Sequence, residues 1–203
     1  MVWKTPWRVR WVRDASGPGI CDGDGQKAPQ NCPGVSAIPK INKSLFKINR
    51  DVRFSNDKSP YKTYMGIWLW EGDRKRMECS GFYLHVKNKN VLIGVGIKMF
   101  SKPLMDRYHQ AVVDKKQGPA LKSAIKKVAG TGYLINWKHY KKITHGYDSG
   151  HPNAEYLLYN GLTARVEEKV PDAFYSEAFI DYAYTHYKNM LPLHICLKKA
   201  LDE

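Results

Sequence analysis

Three consecutive segments rich in aromatic and β-branched residues constrain the fold more than any other feature of this sequence. They cover 64–70, 81–87 and 91–97, and short polar stretches at 71–76 and 87–90 provide turns between them. Residues of these types favour the pleated backbone of strands. Short turns join antiparallel neighbours. We therefore predict an antiparallel sheet at the centre of the fold.

Helical patterns follow these three strands. Ser101 and Pro103 are suited to the start of a helix that continues to about Asp114. Gly118-Pro119 then begins a second helix, which Gly130 ends. Because strands come first and helices cluster after them, the order predicts an α+β fold with the helices packed mainly on one side of the sheet.

Four further elements complete the pattern between residue 133 and the end of the chain. The last of them is a long helix in which a proline is expected to cause a kink or a restart. In chain order we predict a strand at 133–137, a short helix at 152–159 ended by Gly161, a strand at 162–170, and the long helix from Ser176 with its break at Pro192.

The amino-terminal stretch differs from the rest of the chain. Gly, Pro, Ser, Asp, Asn and Gln dominate residues 14–40, a composition typical of loops or disorder. The alternation over 7–12 favours a short strand or an amphipathic arm. We therefore divide the chain into a loop-rich or disordered arm at 1–40 and a single α+β domain at 41–203.

Composition excludes several classes of protein. No apolar run approaches the roughly 20 residues that a membrane helix requires, and the first residues do not resemble a secretory signal. The four cysteines are scattered, which favours reduced thiols and a cytoplasmic location. His139, His145 and His151 lack the spacing of a metal site. We expect no metal, no cofactor and no membrane association.

Positive charge is concentrated in the middle of the chain. The formal net charge is +14; residues 41–99 carry twelve basic and five acidic side chains, and residues 100–150 carry ten and three. A field of this kind attracts phosphates and nucleic acid, although lysine-rich surfaces also serve solubility alone.

The segment 49–63 combines cations, turn residues and a tyrosine more densely than the rest of the chain. Arginine forks suit phosphate or carboxylate groups, and Ser-Asn-Asp and Ser-Pro steps favour a curled backbone that presents its N–H groups. Alternatively, the two carboxylates pair with the cations and fix the loop onto the sheet. The predicted anion-binding residues are Arg50, Arg53, Lys58, Tyr61 and Lys62, with Asp51, Asp57, Tyr83 and His85 as accessory residues.

The same segment resembles the hallmark of an uncharacterised family of bacteria and fungi, domain of unknown function 2461. The resemblance covers about 41–201. It depends mainly on Arg50-Asp51-Val52-Arg53-Phe54-Ser55-Asn56-Asp57-Lys58-Ser59-Pro60-Tyr61-Lys62-Thr63, with further similarity at 81–85, 92–97, 146–158 and 191–193. It implies a fold and the position of a site, but no reaction, because the family has no established activity.

Two features depart from the family's pattern. The family normally opens with helices that contain Asn-Asn and Trp-Phe pairs, which residues 1–40 lack. Ile143-Thr144-His145 stands where the family usually has a proline and a basic residue.

Three functions stay open from the sequence, and it assigns no catalytic residue. The first is a basic module that binds a phosphate-bearing partner such as nucleic acid. The second is an enzyme acting on a phosphorylated or otherwise anionic small molecule, with Asp57, Tyr61 or His85 transferring protons. The third is an interaction domain in which the basic segment is structural.

Overall fold

The computed structural model describes residues 35–36, 40, 43–54 and 56–202. Its fold is α+β, as predicted, and it is built on an antiparallel sheet. The strand order is β1-β2-β3-β4-β6-β5. The strands are β1 (Val35–Ser36), β2 (Tyr64–Glu71), β3 (Gly81–Lys87), β4 (Asn90–Ile97), β5 (Leu134–Lys138) and β6 (Tyr159–Lys169).

Three α-helices occupy the positions that the sequence predicts. They are α1 (Lys102–Val113), α2 (Gln117–Gly130) and α3 (Ala178–Asp202). Ser101 stands at the N-cap position of α1, and a proline follows in the first turn. The inner faces of two of these helices carry apolar residues at helical spacing and are buried: Leu104, Tyr108 and Val112 on α1, and Leu121, Ile125 and Val128 on α2.

The prediction for 152–170 is partly wrong. A short 3-10 helix covers Ala154–Leu158, and β6 then begins at Tyr159, so Gly161 lies inside the strand instead of ending a helix. The reason is a close backbone approach between β4 and β6. A Cβ on Gly161 would overlap the carbonyl of Lys98, with the carbonyl carbon 2.6 Å away. Glycine is present here because no side chain fits.

Pro192 does not restart the last helix, contrary to one of the two predicted outcomes. The helix α3 continues through it to Asp202. Proline removes one backbone hydrogen bond from a helix. Met190, Leu193 and Leu197 are each fully buried around it, and burial of such side chains contributes about 1.5–3 kcal/mol each. Packing therefore offsets the missing bond.

Two residues of the predicted arm belong to the sheet. Val35 pairs with Glu71 and Ser36 pairs with Trp70, which makes β1 an edge strand antiparallel to β2. The loop prediction is wrong at these two residues. The arm prediction for residues 7–12 and the cysteines Cys21 and Cys32 lie outside the described residues.

The chain's internal contacts divide it into two compact units. The first contains Met1–Gly72, Phe82–Ile93 and Glu167–His186, and its buried residues include Leu69, Leu84 and Ala183. The second contains Asp73–Gly81, Gly94–Val166 and Tyr187–Glu203. Buried residues of the second unit include Ile97, Tyr108 and Leu162.

The edge strand β5 is irregular. Its pairing with β6 shifts register between Asn136 and Lys138. The residue between them, Trp137, has a φ of 81°, which is unusual for a residue other than glycine. Lys98 Nζ lies 5.3 Å from the centroid of the Trp137 ring, so a cation–π contact supports the strained position.

Among the described residues, no helix has both the length and the apolar character needed to cross a bilayer.

Candidate functional site

The basic segment forms a closed loop in the first compact unit. Its two ends pair with each other: Asn49 bridges to Tyr61, Arg50 N–H donates to Pro60 O at 2.9 Å, and Lys62 N–H donates to Ile48 O at 2.9 Å. We call residues 49–62 the basic loop. The backbone pairing of its two ends holds the side chains between them on one short loop.

Arg50 acts as an internal brace of the basic loop. Its Nη1 pairs with Asp57 Oδ2 and donates to Ser59 Oγ at 3.1 Å. The other carboxylate oxygen of Asp57 accepts the Ser59 N–H at 2.9 Å. The Arg50 side chain is only 34% exposed, so its guanidinium mainly holds the two sides of the loop together.

Arg53 is held differently, with its charge directed to solvent. Its Nε donates to Asp51 Oδ1 at 2.9 Å and its Nη2 donates to Asp51 Oδ2 at 2.7 Å. The side chain is nevertheless 75% exposed. A guanidinium has five N–H donors, and this fork uses two of them. Asp51 therefore orients Arg53 while the remaining donors stay available.

The two lysines of the basic loop also keep donors available. Lys58 Nζ donates to the carbonyl of Val52 at 3.0 Å, which uses one of its three protons and leaves its charge uncompensated. Lys62 Nζ lies 5.5 Å from the centroid of the Tyr64 ring. Both contacts fix the lysine stems, and among the described residues neither lysine pairs with a carboxylate.

The expected cradle of backbone N–H groups is already occupied at two positions. Arg53 N–H donates to Asp51 Oδ1 at 3.3 Å, and Ser59 N–H donates to Asp57 Oδ1. Both carboxylates thus close local turns with the residue two positions later. Side chains, instead of backbone groups at these positions, must hold any anion.

These pairs lower the pKa of both carboxyl groups. The fork from Arg53, followed by the Arg53 N–H, lowers the pKa of Asp51. The N–H and hydroxyl of Ser59 lower the pKa of Asp57, with a smaller contribution from the charge of Arg50. A carboxylate whose folded pKa is depressed stabilises the folded loop above its unfolded pKa, and this contribution is lost as the pH falls through the folded value.

We therefore expect the basic loop to stay ordered from pH 8 to pH 5 and to loosen only below roughly pH 4, near the ordinary aspartate pKa. Carboxyl ¹³C titration by NMR measures this directly, with the Arg53 and Ser59 amide shifts as reporters of the turns. Arg53→Gln should raise the pKa of Asp51 and leave that of Asp57 unchanged. An Asp51 pKa equal in the two proteins would contradict the fork.

Aromatic side chains project beside the exposed cations. Phe54 is 93% exposed and Tyr61 is 61% exposed. Arg53 lies over the Phe54 ring, with Cζ 5.7 Å from the centroid. Tyr61 was among the predicted site residues, but Phe54 was not. Its position in the sequence, directly after Arg53 and before the turn residues, is the feature that could have identified Phe54 as a site residue.

The accessory residues Tyr83 and His85 are half-buried on β3. The His85 ring is 4.7 Å from that of Tyr64 and 5.8 Å from that of Tyr83, measured between centroids. Trp68 and Phe46 extend this cluster at 6.2 Å and 6.0 Å from Tyr83. Tyr83 and His85, which were predicted as accessory site residues, thus belong to an aromatic cluster of β2 and β3.

Burial favours the uncharged forms of His85 and Tyr83. Burial, together with the charge of Lys87, lowers the pKa of His85, although Glu167 opposes the shift. Burial raises the pKa of Tyr83. His85 Nε2 is buried, and it has no hydrogen-bond partner among the described residues. None of these observations tests proton transfer by His85, so the enzyme alternative stays a prediction.

A groove of about 710 Å³ lies in the second compact unit. It is lined by residues of α1 and α2 and by the loop 151–153, including Lys115, Lys122, Lys126 and Lys127. Three of these lysines, Lys122, Lys126 and Lys127, lie on α2. The sequence did not reveal that 151–153 completes a concave surface with them, because no pattern links segments so far apart in the chain.

Within the part of the chain that the structure describes, no group of three or more histidine, cysteine, aspartate or glutamate side chains could hold a metal ion. Cys79 is buried, and its thiol donates to Arg74 O at 3.5 Å.

Comparison with known proteins adds one finding. The model of a family described as "Conserved hypothetical protein (DUF2461)" matches residues 25–195. The match begins before the range that the sequence motifs indicate, and it includes the edge strand β1. No curated protein and no solved structure matches the chain.

Proposed function

We propose that this chain, which belongs to the DUF2461 family, binds single-stranded nucleic acid through its basic loop. The observation that carries the proposal is the pair of exposed aromatic rings, Phe54 and Tyr61, among the cations of a loop whose ends are fixed by backbone pairing. Cations that follow a phosphate backbone and rings on which bases stack are the two components of such sites.

The electrostatic part of the proposal depends on Arg53, Lys58 and Lys62. The two lysines make their contacts with a backbone carbonyl and an aromatic ring, so neither positive charge is neutralised there. Arg53 is oriented by Asp51 and keeps three of its five donors. For three phosphate contacts on a single strand we expect a slope of log K against log salt of about −2.

The stacking part favours single strands over duplexes. Every base presents a π-face, but in a duplex that face is covered by its neighbours, whereas an unpaired strand can splay its bases onto exposed rings. Phe54 is almost wholly exposed and the Arg53 guanidinium lies beside it. A stacked base would therefore have its phosphate close to a cation.

The experiment is a fluorescence anisotropy titration of labelled single-stranded DNA and RNA of mixed sequence. Each stacked base contributes about 1–3 kcal/mol, so we expect Phe54→Ala/Tyr61→Ala to weaken binding by at least about 30-fold. Tyr175→Ala is the matched control, because Tyr175 is 89% exposed but lies outside the basic loop. It should bind as the wild type does.

Two further measurements separate stacking from charge. Arg53→Gln should weaken binding to all sequences alike and make the salt slope less steep by about 0.7. A duplex of the same sequence should bind more weakly than the single strand. Equal affinity of the wild type and the Phe54→Ala/Tyr61→Ala variant, or preference for the duplex, would refute the proposal.

A further inference from the structure

The groove of the second compact unit is built by the fold and is not a chance gap between side chains. Gly118, at the start of α2, is buried, and a Cβ there would overlap Val112 O and lie 2.6 Å from Asn153 Nδ2. The Asn153 side chain is itself buried and donates Nδ2–H to Val112 O at 3.1 Å. The junction of α1, α2 and the loop 151–153 is therefore tightly packed.

A lysine also fixes the loop that forms one wall. Lys122 Nζ donates to Pro152 O at 3.1 Å across the groove. On the same wall, His151 Nδ1 accepts the N–H of Asn153 at 3.1 Å. In a neutral imidazole the proton then resides on Nε2. The Nε2–H group of His151 is thus a second type of hydrogen-bond donor in a lining that already contains lysines.

The lining carries a strong excess of positive charge. Four lysines (Lys115, Lys122, Lys126 and Lys127) line it against a single carboxylate, that of Asp114. That carboxylate is already engaged: its Oδ1 accepts the N–H groups of Lys116 and Gln117 at 2.8 Å and 2.6 Å. These bonds hold its charge at the start of α2, where a carboxylate stabilises the helix. Three positive charges are left for a ligand.

The side chains of the lining limit the chemical class of ligand that the groove fits. A lysine ammonium is a compact point charge without the fixed planar geometry of an arginine fork, and it binds phosphate groups in this form. Of the described residues that line the groove, His151 alone has an aromatic ring, so bases would find little to stack against, in contrast to the basic loop. A volume of about 710 Å³ falls within the roughly 300–1,000 Å³ of small-molecule sites.

We infer that this groove binds a compact polyphosphate, that is, several phosphate groups held close together in a short chain or on a small organic carrier. Four lysines match the three or more negative charges of such a ligand, which a single phosphate does not supply. This second anion site lies in a different compact unit from the basic loop, and its existence does not depend on nucleic-acid binding.

Isothermal titration calorimetry with inorganic tripolyphosphate tests the site on the full chain. Lys126→Gln/Lys127→Gln removes two lining charges and spares Lys122, which holds the loop. The matched control is Lys141→Gln/Lys142→Gln, an adjacent exposed pair outside the lining with the same loss of charge. We expect the first variant to bind at least about tenfold more weakly, because two positive charges of the lining are removed, and the control to stay within about twofold.

A nucleoside triphosphate in a second titration distinguishes the two sources of the ligand. Binding equal to that of tripolyphosphate identifies the phosphate chain as the recognised part, and tighter binding identifies an organic carrier. The Phe54→Ala/Tyr61→Ala variant, which changes only the basic loop, should bind tripolyphosphate as the wild type does. The groove can therefore be tested even if the basic loop does not bind nucleic acid. Absence of wild-type binding to both ligands at low salt, or equal losses in the two lysine variants, would overturn the inference.

Discussion

Gly96→Ala is expected to destabilise the protein by about 3–5 kcal/mol, which approaches the total stability of many domains. Gly96 has a φ of +126°, a conformation that strains any residue with a Cβ. The added Cβ would also overlap Leu162 O and lie 2.9 Å from the Thr163 Cα. Both obstacles are backbone atoms of β6, so β4 and β6 would have to separate. Urea unfolding followed by tryptophan fluorescence measures the loss.

Gly94→Ala, on the same strand, is the control for this prediction. Its Cβ would meet Ala164 O at 3.2 Å, and its φ is not in the strained region. A shift of a few tenths of an ångström accommodates it, so we expect a loss below about 1.5 kcal/mol. If the two variants lost equal stability, the backbone conformation of Gly96 would not be the cause.

Gly118→Ala is expected to cost about 2–4 kcal/mol and to deform the lysine-lined groove. The new Cβ would overlap Val112 O and crowd the side-chain amide of Asn153. Relief requires α2 to move away from α1 or the buried Asn153–Val112 hydrogen bond to break, and a buried carbonyl left without its partner costs about 1–3 kcal/mol. Urea unfolding gives the stability, and tripolyphosphate affinity reports the shape of the groove.

Gly130→Ala provides a control in the same helix. A Cβ at Gly130 meets nothing within 4 Å, and alanine is the better helix former by up to about 1 kcal/mol. We expect this variant to be slightly more stable than the wild type, with unchanged tripolyphosphate affinity. Destabilisation by Gly130→Ala equal to that by Gly118→Ala would mean that glycine in α2 is needed for some reason other than contact with α1.

The parts of the fold that follow local patterns could be predicted from the sequence. The strands β2, β3 and β4 and the inner faces of α1 and α2 depend on side-chain periodicity and on turn residues, which are visible in the chain. Gly161 was misinterpreted because glycine either ends helices or allows a close backbone approach. Only the position of Lys98, directly after the end of β4, decides between these two roles.

The candidate site, too, could be predicted from the sequence only in part. The basic loop could be located from its residues, and the sequence left open whether its carboxylates lock the cations or leave them available. The structure answers separately for each arginine: Asp57 and Ser59 engage Arg50 inside the loop, whereas Asp51 orients an exposed Arg53. The groove could not be found in this way, because 113–127 and 151–153 come together only through tertiary packing.

The irregular strand β5 bears on how the protein behaves at high concentration. An edge strand presents unpaired N–H and C=O groups that invite another chain to add to the sheet. Leu134 is 63% exposed on this strand, which adds an apolar contact for such an encounter. The register shift at Trp137 twists the edge, and a lysine follows it. Both features disfavour the long, flat pairing on which fibrillar assembly depends. We therefore expect the strained tryptophan to disfavour sheet-to-sheet pairing between copies of this chain.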